Sequence, residues 1–531
     1  MRDALNAGRA GRPLGGGRRV AYSFGVKRSR FRALWSAVLL SSTACYSIGP
    51  GFDPSQHLIY VDGDGGMRRA LDTAEARGTW RVTGEVLDDS SARKVVGTLM
   101  ENLRASAHDT ITVYFHGGLV TNHSARVDAA ALGAQLEREG HFPLFVGWES
   151  SWLPTFGDHI TSVRQGQVWS PLAGWLSAPL IIAADLGRAV TRAPLGMLQQ
   201  AADYCATWRG ALSDSVRRAR GDHACPAFSD EVRARRVNVR RALDREERGE
   251  SLDSLRLTLG DYHSTLPRTV GRTVSAYVTA IPKALVTGPL VDGFGAGTYE
   301  NMLRRTQTMF RRREDMARRS TVTGYRPPTG ATAILMDSLA AHMALRCAVP
   351  STCRAQLNLV GHSMGAIIAT RVLQEWPQLP VHKLYFLGAA ATVADIESTV
   401  IPYMRRHPET RFYNGMLHPR IEVGEAQWLA LDLVPRGSLL EWIDDHLTSP
   451  ETPLQRTAGK WENMAAMEYV FPPDVRARVI LKGFGFRDPR DRDQPFLFKG
   501  LDGHGAFDDR DFRWWRDRTW CIYSGPACVN P

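Results

Sequence analysis

Ser363 stands between two glycines in Gly361-His362-Ser363-Met364-Gly365, a spacing that can turn a hydroxyl into a nucleophile. A hydroxyl that attacks carbon needs a base to take its proton, a carboxylate to orient the base, and N–H donors for the oxyanion that forms. Small residues on either side let the backbone turn sharply enough to project the side chain. Leu357-Asn358-Leu359-Val360 reads as a buried strand leading into the turn, and Ala366 to Leu373 as the helix leading out of it. That context separates a nucleophile from an ordinary turn serine.

The other parts follow in chain order. Ile111 to Phe115 reads as a buried strand running into His116-Gly117-Gly118-Leu119, where the N–H of Gly118 is free to face an oxyanion. A second donor is the N–H of Met364, at the start of a helix whose first amides have no intrahelical partner. The base is expected in the glycine-rich loop Gly500 to Phe507, after the last strand at residues 477–484, and is His504. A short aromatic helix is expected around Phe512 to Trp515. Three carboxylates follow the strand Arg411 to Met416, namely Glu422, Glu425 and Asp432. Asp432 is preferred because Asp432-Leu433-Val434-Pro435 makes a rigid turn. Asp444 and Asp445 read as a helix end or a buried structural network.

In these motifs, across residues 107–155 and 331–515, the chain resembles the α/β-hydrolase superfamily in its lipase and esterase branch. The resemblance implies an α/β fold with a mostly parallel eight-stranded sheet, helices on both faces, and a Ser363-His504-Asp432 triad that transfers an acyl group to water. Leu58 to Val61 and Trp80 to Val86 can supply its antiparallel edge. The chain departs from that pattern at residues 149–356, 208 positions where one or two short helices suffice. Residues 160–330 are therefore expected to form a helical cap between two halves of the core, 46–159 and 331–531. Two apolar stretches in it, Trp169 to Ile182 and Ala276 to Val291, are broken by Pro179, Pro282 and Pro289 and are too interrupted to span a bilayer. They fit a lid over acyl chains, a face on a membrane surface, or an ordinary helical core. The arginine-rich run from Arg217 to Arg248 interleaves both signs of charge, as solvated helices do, and lacks the aromatics of a nucleic-acid reader.

The net charge of +11 is concentrated at the start. Nine Lys and Arg and one Asp precede Cys45, a net +8, which leaves +3 for the remaining 487 residues. A basic segment, an apolar stretch from Ala33 to Leu40 and small residues before Cys45 have the form of a bacterial export signal, residues 1–44, with Cys45 as the lipid-bearing residue. The remaining six cysteines suit disulfides in an oxidising compartment. Short loops favour Cys205 with Cys225, Cys347 with Cys353, and Cys521 with Cys528, out of fifteen connectivities. No zinc spacing occurs, and Asp62-Gly63-Asp64-Gly65-Gly66 reads as a turn, so neither metal nor cofactor is expected. The expected protein is a lipid-anchored envelope hydrolase of small-molecule or lipid esters, held to the membrane by its N-terminal lipid and by its cap, without a nucleic-acid partner. An amidase, peptidase or acyltransferase with the same triad, and a non-catalytic envelope protein that keeps the fold, are the alternatives.

Overall fold

The computed structural model describes residues 52–520, apart from 70–84, parts of 162–171, 193–195, 197–255, parts of 260–282, 313–327, 349–352, 426–436, 449, 488–500 and 509–511. Nine strands form one sheet: β1 (Leu58–Val61), β2 (Met67–Arg68), β3 (Thr110–Phe115), β4 (His141–Trp148), β5 (Arg256–Leu259), β6 (Gln356–His362), β7 (Val381–Leu387), β8 (Arg411–Leu417) and β9 (Val479–Phe484). Their order is β2-β1-β4-β3-β6-β7-β8-β9-β5. Every pairing is parallel except the edge pair β1/β2. The central strands are near-continuous apolar runs because helices cover both faces of a parallel sheet.

Helix α1 (Asp89–Ala105) starts where the Asp88 side chain accepts from the Ser91 N–H at 2.7 Å. It buries Ala92, Val96, Leu99, Met100 and Leu103, spaced to lie along one stripe. With α4 (Gly288–Thr308), α5 (Ala331–Arg346) and α6 (Gly365–Glu375) it closes one face of the sheet. The other face is covered by α2 (Asn122–Arg138), capped by Thr121, and by an aromatic C-terminal segment. There Tyr385 and Tyr413 stack at 4.8 Å under Trp514 and Trp520, while Phe484 meets Phe507 and Phe512 edge-on.

Two expectations need correction. The sheet has nine strands where eight were expected, and the ninth, β5, comes from inside the insertion read as helical. Arg256-Leu257-Thr258-Leu259 is too short for periodicity to betray it, and it becomes a strand because β9 offers a free edge. The segment Phe512 to Trp515 is not helical; the short helix lies one turn later, at Asp517–Trp520.

The rest of the insertion's described residues is mostly helical. Residues 172–192 form a helix that runs through Pro179, and Pro289 lies near the start of α4, which continues directly from a π-helical turn, Lys283–Thr287. α4 packs on α3 (Trp152–Thr161), with Gly297 admitting the His159 ring and Asn301 donating to Thr155 O at 3.2 Å. Buried Arg305 donates to Glu149 O at 2.7 Å, to Thr155 Oγ1 at 2.8 Å and to Asp158. Among the described residues, no helix is long and apolar enough to cross a membrane. Asp62 to Gly66 is a turn: Asp62 Oδ1 accepts from Asp64 N and Gly66 N, and Gly65 sits at φ 89°. No cluster of metal ligands occurs among the described residues.

Cys347 and Cys353 are joined, with Cα atoms 4.6 Å apart. Cys45, Cys205, Cys225, Cys521 and Cys528 lie outside the described residues, as do the signal segment and most of Trp80 to Val86; Val86 itself bridges Arg68.

Candidate active site

Ser363 adopts φ 52°, in the left-handed region that side chains avoid, at a cost of about 1–3 kcal/mol. The turn is held by its neighbours. Ser363 N donates to Leu387 O at 2.8 Å, and its carbonyl accepts from Ala390 N at 2.9 Å and Ala366 N at 3.1 Å. Both flanking glycines are obligatory for space: a Cβ on Gly361 would lie 2.4 Å from Ala366 Cα, and one on Gly365 2.0 Å from Phe115 O. Ser363 is 1% exposed, and its Oγ has no hydrogen-bond partner among the described residues.

The loop after β3 lies directly over this serine. A Cβ on Gly117 would sit 2.8 Å from Ser363 Cβ, and one on Gly118 2.7 Å from Met364 Sδ. Among the described residues neither the Gly118 nor the Met364 N–H donates to a protein acceptor. Two unengaged amides therefore lie next to Ser363, one on the following residue and one in the loop packed against it. The loop is fixed from behind, where Leu119, at φ 65°, donates to Ser150 O at 3.1 Å. His116 Nε2 accepts from Trp148 N at 3.0 Å, so its proton is on Nδ1, 2.7 Å from Gly117 O. Burial pushes this imidazole down to about 4, so His116 is a neutral brace.

Gly117→Ala tests the approach of loop to serine. The added methyl meets backbone-anchored atoms that cannot give way, so kcat should fall roughly 100- to 1000-fold, the loss typical of one missing oxyanion donor. Circular dichroism should change little, while Tm should fall modestly, because the methyl is forced into a buried contact.

His504 opens a short 3-10 helix, His504–Asp508, and comes to the elbow from the far side. Its ring lies against Gly388, the residue after β7, where a Cβ would meet Cε1 at 2.8 Å and Nδ1 at 3.0 Å. Gly388 takes φ 51° and donates to Gly415 O at 2.7 Å. Only glycine leaves room for the ring at that backbone angle. Neither ring nitrogen is hydrogen-bonded among the described residues. Burial first, and the charge on His362 second, push His504 down to about 3, so it is neutral at neutral pH and able to accept a proton.

Of the three carboxylates, Asp432 lies outside the described residues. Glu422 is fully buried and accepts from Ser438 Oγ; burial raises its pKa well above the ordinary range. It serves the turn below β8 and does not meet His504. Glu425 does: its Oε2 accepts the His504 backbone N–H at 2.8 Å, and Gly503 leaves room for its carboxyl. Burial lifts Glu425 to about 7 against that hydrogen bond. Asp444 and Asp445 belong to a buried network: Asp444 Oδ1 accepts from Thr457 N at 3.0 Å and its Oδ2 from Asn463 at 2.8 Å.

Sequence reasoning set His362 aside as part of the turn motif and overlooked Asp508 and Tyr114. His362 Nδ1 lies 2.8 Å from Asp508 Oδ2, its Nε2 lies 3.2 Å from His504 O, and Tyr114 OH donates to Asp508 Oδ1. Burial opposes the charge on His362, but Asp508 more than offsets it and raises the imidazole; His362 in turn holds Asp508 low. The available signal was Asp508 itself, one helical turn after His504. Compared with protein-family models, curated proteins and solved structures, the chain matches none.

Proposed function

We propose that this protein is a serine hydrolase of carboxylic esters with an α/β-hydrolase fold, in which Ser363 attacks and His504 moves the proton. One observation carries the reading: a serine held at φ 52° with a free hydroxyl, beside two unengaged amides and a neutral, unpartnered histidine. The strand order β4-β3-β6-β7-β8-β9, with the serine after β6 and the histidine after β9, is the order in which this fold carries its parts. Ser363 Oγ adds to the ester carbonyl as its proton passes to His504. The oxyanion accepts from Gly118 and Met364 N–H groups. Collapse expels the alcohol, which takes the proton from the imidazolium, and water then releases the acid by the same route.

The substrate class follows from the surroundings. Met302 of α4 approaches Gly118, where a Cβ would lie 3.6 Å from its Sδ, so the insertion overhangs the site. Leu172, Trp175, Leu176 and Leu180 in the same insertion are 69–72% exposed, an apolar face suited to acyl chains and to a lipid surface. Exported and lipid-anchored at Cys45, the enzyme would meet such esters in the cell envelope, with no cofactor.

A series of p-nitrophenyl esters of increasing acyl length tests the reading. Turnover with an optimum at a defined length supports it; turnover of the matching anilides alone would favour an amidase, and none with either a binding role.

The acid is tested by pH. Glu425 holds His504 by its backbone N–H and not by its ring, and, raised to about 7, it is charged, and so the stronger acceptor for that N–H, above that value. Activity should therefore rise with pH through about 7. Glu425→Gln, which removes the charge and keeps an acceptor for that N–H, should abolish that limb. Asp432→Asn, assayed in parallel, should leave the limb in place.

A further inference from the structure

We infer that Asp508 is a positioning residue which, through His362 and Tyr114, sets the loop carrying His504 in register with Ser363 and the oxyanion loop. The inference rests on the reading of Ser363 and His504 as nucleophile and base. One carboxylate touches all three segments that carry the chemistry. Oδ2 meets Nδ1 of His362, the residue before Ser363. Oδ1 accepts from Tyr114, four residues before Gly118 on β3. Asp508 itself ends the 3-10 helix that His504 begins, and the other nitrogen of His362 returns to His504 O.

His362 Nδ1 lies at ion-pair distance from Asp508 and its other nitrogen lies 3.2 Å from His504 O, and, against burial, the Asp508 charge raises the imidazole, which favours its protonated form. The two contacts tie the helix at its first and last residues. Phe507 adds an apolar anchor between them, fully buried against Phe484 and near the His362 ring. The groups facing this pair are Asp128 from α2, His116 from the loop after β3, and His504. Burial and the Asp508 charge raise Asp128 to about 7, so it is the uncharged partner in the cluster under mildly acidic conditions.

The arrangement differs from a triad acid. Asp508 makes no hydrogen bond to the His504 ring among the described residues, and Glu425 holds the other end of the loop at the His504 N–H. Backbone contacts at N–H and C=O thus hold the segment and leave both ring nitrogens of His504 unengaged among the described residues.

Asp508→Asn and Tyr114→Phe, in the full mature chain, test this. A fluorophosphonate probe first titrates reactive Ser363, and p-nitrophenyl ester turnover is expressed per titrated site. The expected result for Asp508→Asn is a 10- to 100-fold fall in kcat per site and in the rate of labelling, with KM within twofold. Tyr114→Phe, which keeps the ring, is expected to lose 3- to 10-fold and carries the test if Asp508→Asn does not fold. Combining Asp508→Asn with His362→Gln should cost less than the two single losses multiplied together, since both break the His362–Asp508 contact. Full per-site kcat in either folded variant, or a lower titre with unaltered per-site rates, would overturn the inference and leave the nucleophile reading intact. A wild-type chain that does not label at all would overturn both.

Discussion

Replacing Ser363 by alanine should reduce ester turnover roughly 10⁴- to 10⁶-fold, to the residual level that binding and oxyanion donors supply without a nucleophile. The fold should survive, and even tighten. Alanine at φ 52° carries the same backbone cost as serine, and the hydroxyl it removes has no hydrogen bond to lose. A urea midpoint equal to or above that of the parent, together with loss of turnover and of fluorophosphonate labelling, is the expected pair of results. Loss of turnover with a lowered midpoint would mean that Ser363 is a structural element of the turn. Unchanged turnover would exclude it as nucleophile.

The second large effect is on stability. Lys460 is buried, with Nζ 2.6 Å from Glu441 and 3.8 Å from Asp444, and Asp445 close by. Burial opposes its charge, but the carboxylates raise its pKa. Lys460→Met keeps the stem and removes the cation, leaving several buried carboxyls with Arg456, about 4 Å from Asp444 and Asp445, as the remaining cation. Breaking a buried pair from one side typically costs about 3–5 kcal/mol, a large share of the stability of a domain. The loss should depend on pH. Asp445, already raised to about 8 by burial, holds a proton that the unfolded chain releases near 4, so folding binds protons over that interval and stability falls as pH rises through it. Without Lys460 the carboxyls rise further, so the slope steepens. Urea midpoints at pH 5.5 and pH 8 should both fall for Lys460→Met, and fall more at pH 8.

Much of the site was legible because glycine and the catalytic types occur at fixed spacing from strand ends. Gly361, Gly365, Gly117 and Gly118 are dictated by close backbone approach, and that constraint shows in sequence. Three carboxylates were candidates for the acid, and the preferred one, Asp432, lies outside the described residues. Glu425 reaches His504 by a turn after β8 whose conformation depends on buried Glu422 and Ser438, and no local pattern encodes such a long-range arrangement. The His362–Asp508 pair was missed for a related reason: its partners are 146 positions apart (508 minus 362), and the residue next to a nucleophile reads as part of the turn. Strand β5 was missed because four residues carry no periodicity and owe their conformation to the edge they join.

That ninth strand also orders events in time. After β4 the chain crosses to the opposite edge of the sheet, six strands away or roughly 29 Å at the usual strand spacing, before returning to lay down β6 at the centre. Its partner β9 begins 220 residues after β5 ends, and Ile480 to Gly483 pair with Arg256 to Leu259. During synthesis from the N-terminus Arg256–Leu259 has nowhere to pair until nearly the whole chain has emerged, and it closes one of the longest loops in the molecule. This edge of the sheet therefore cannot close before Val479 to Phe484 have been made, whereas α4 of the same insertion can already be held on α3 by the first half of the chain.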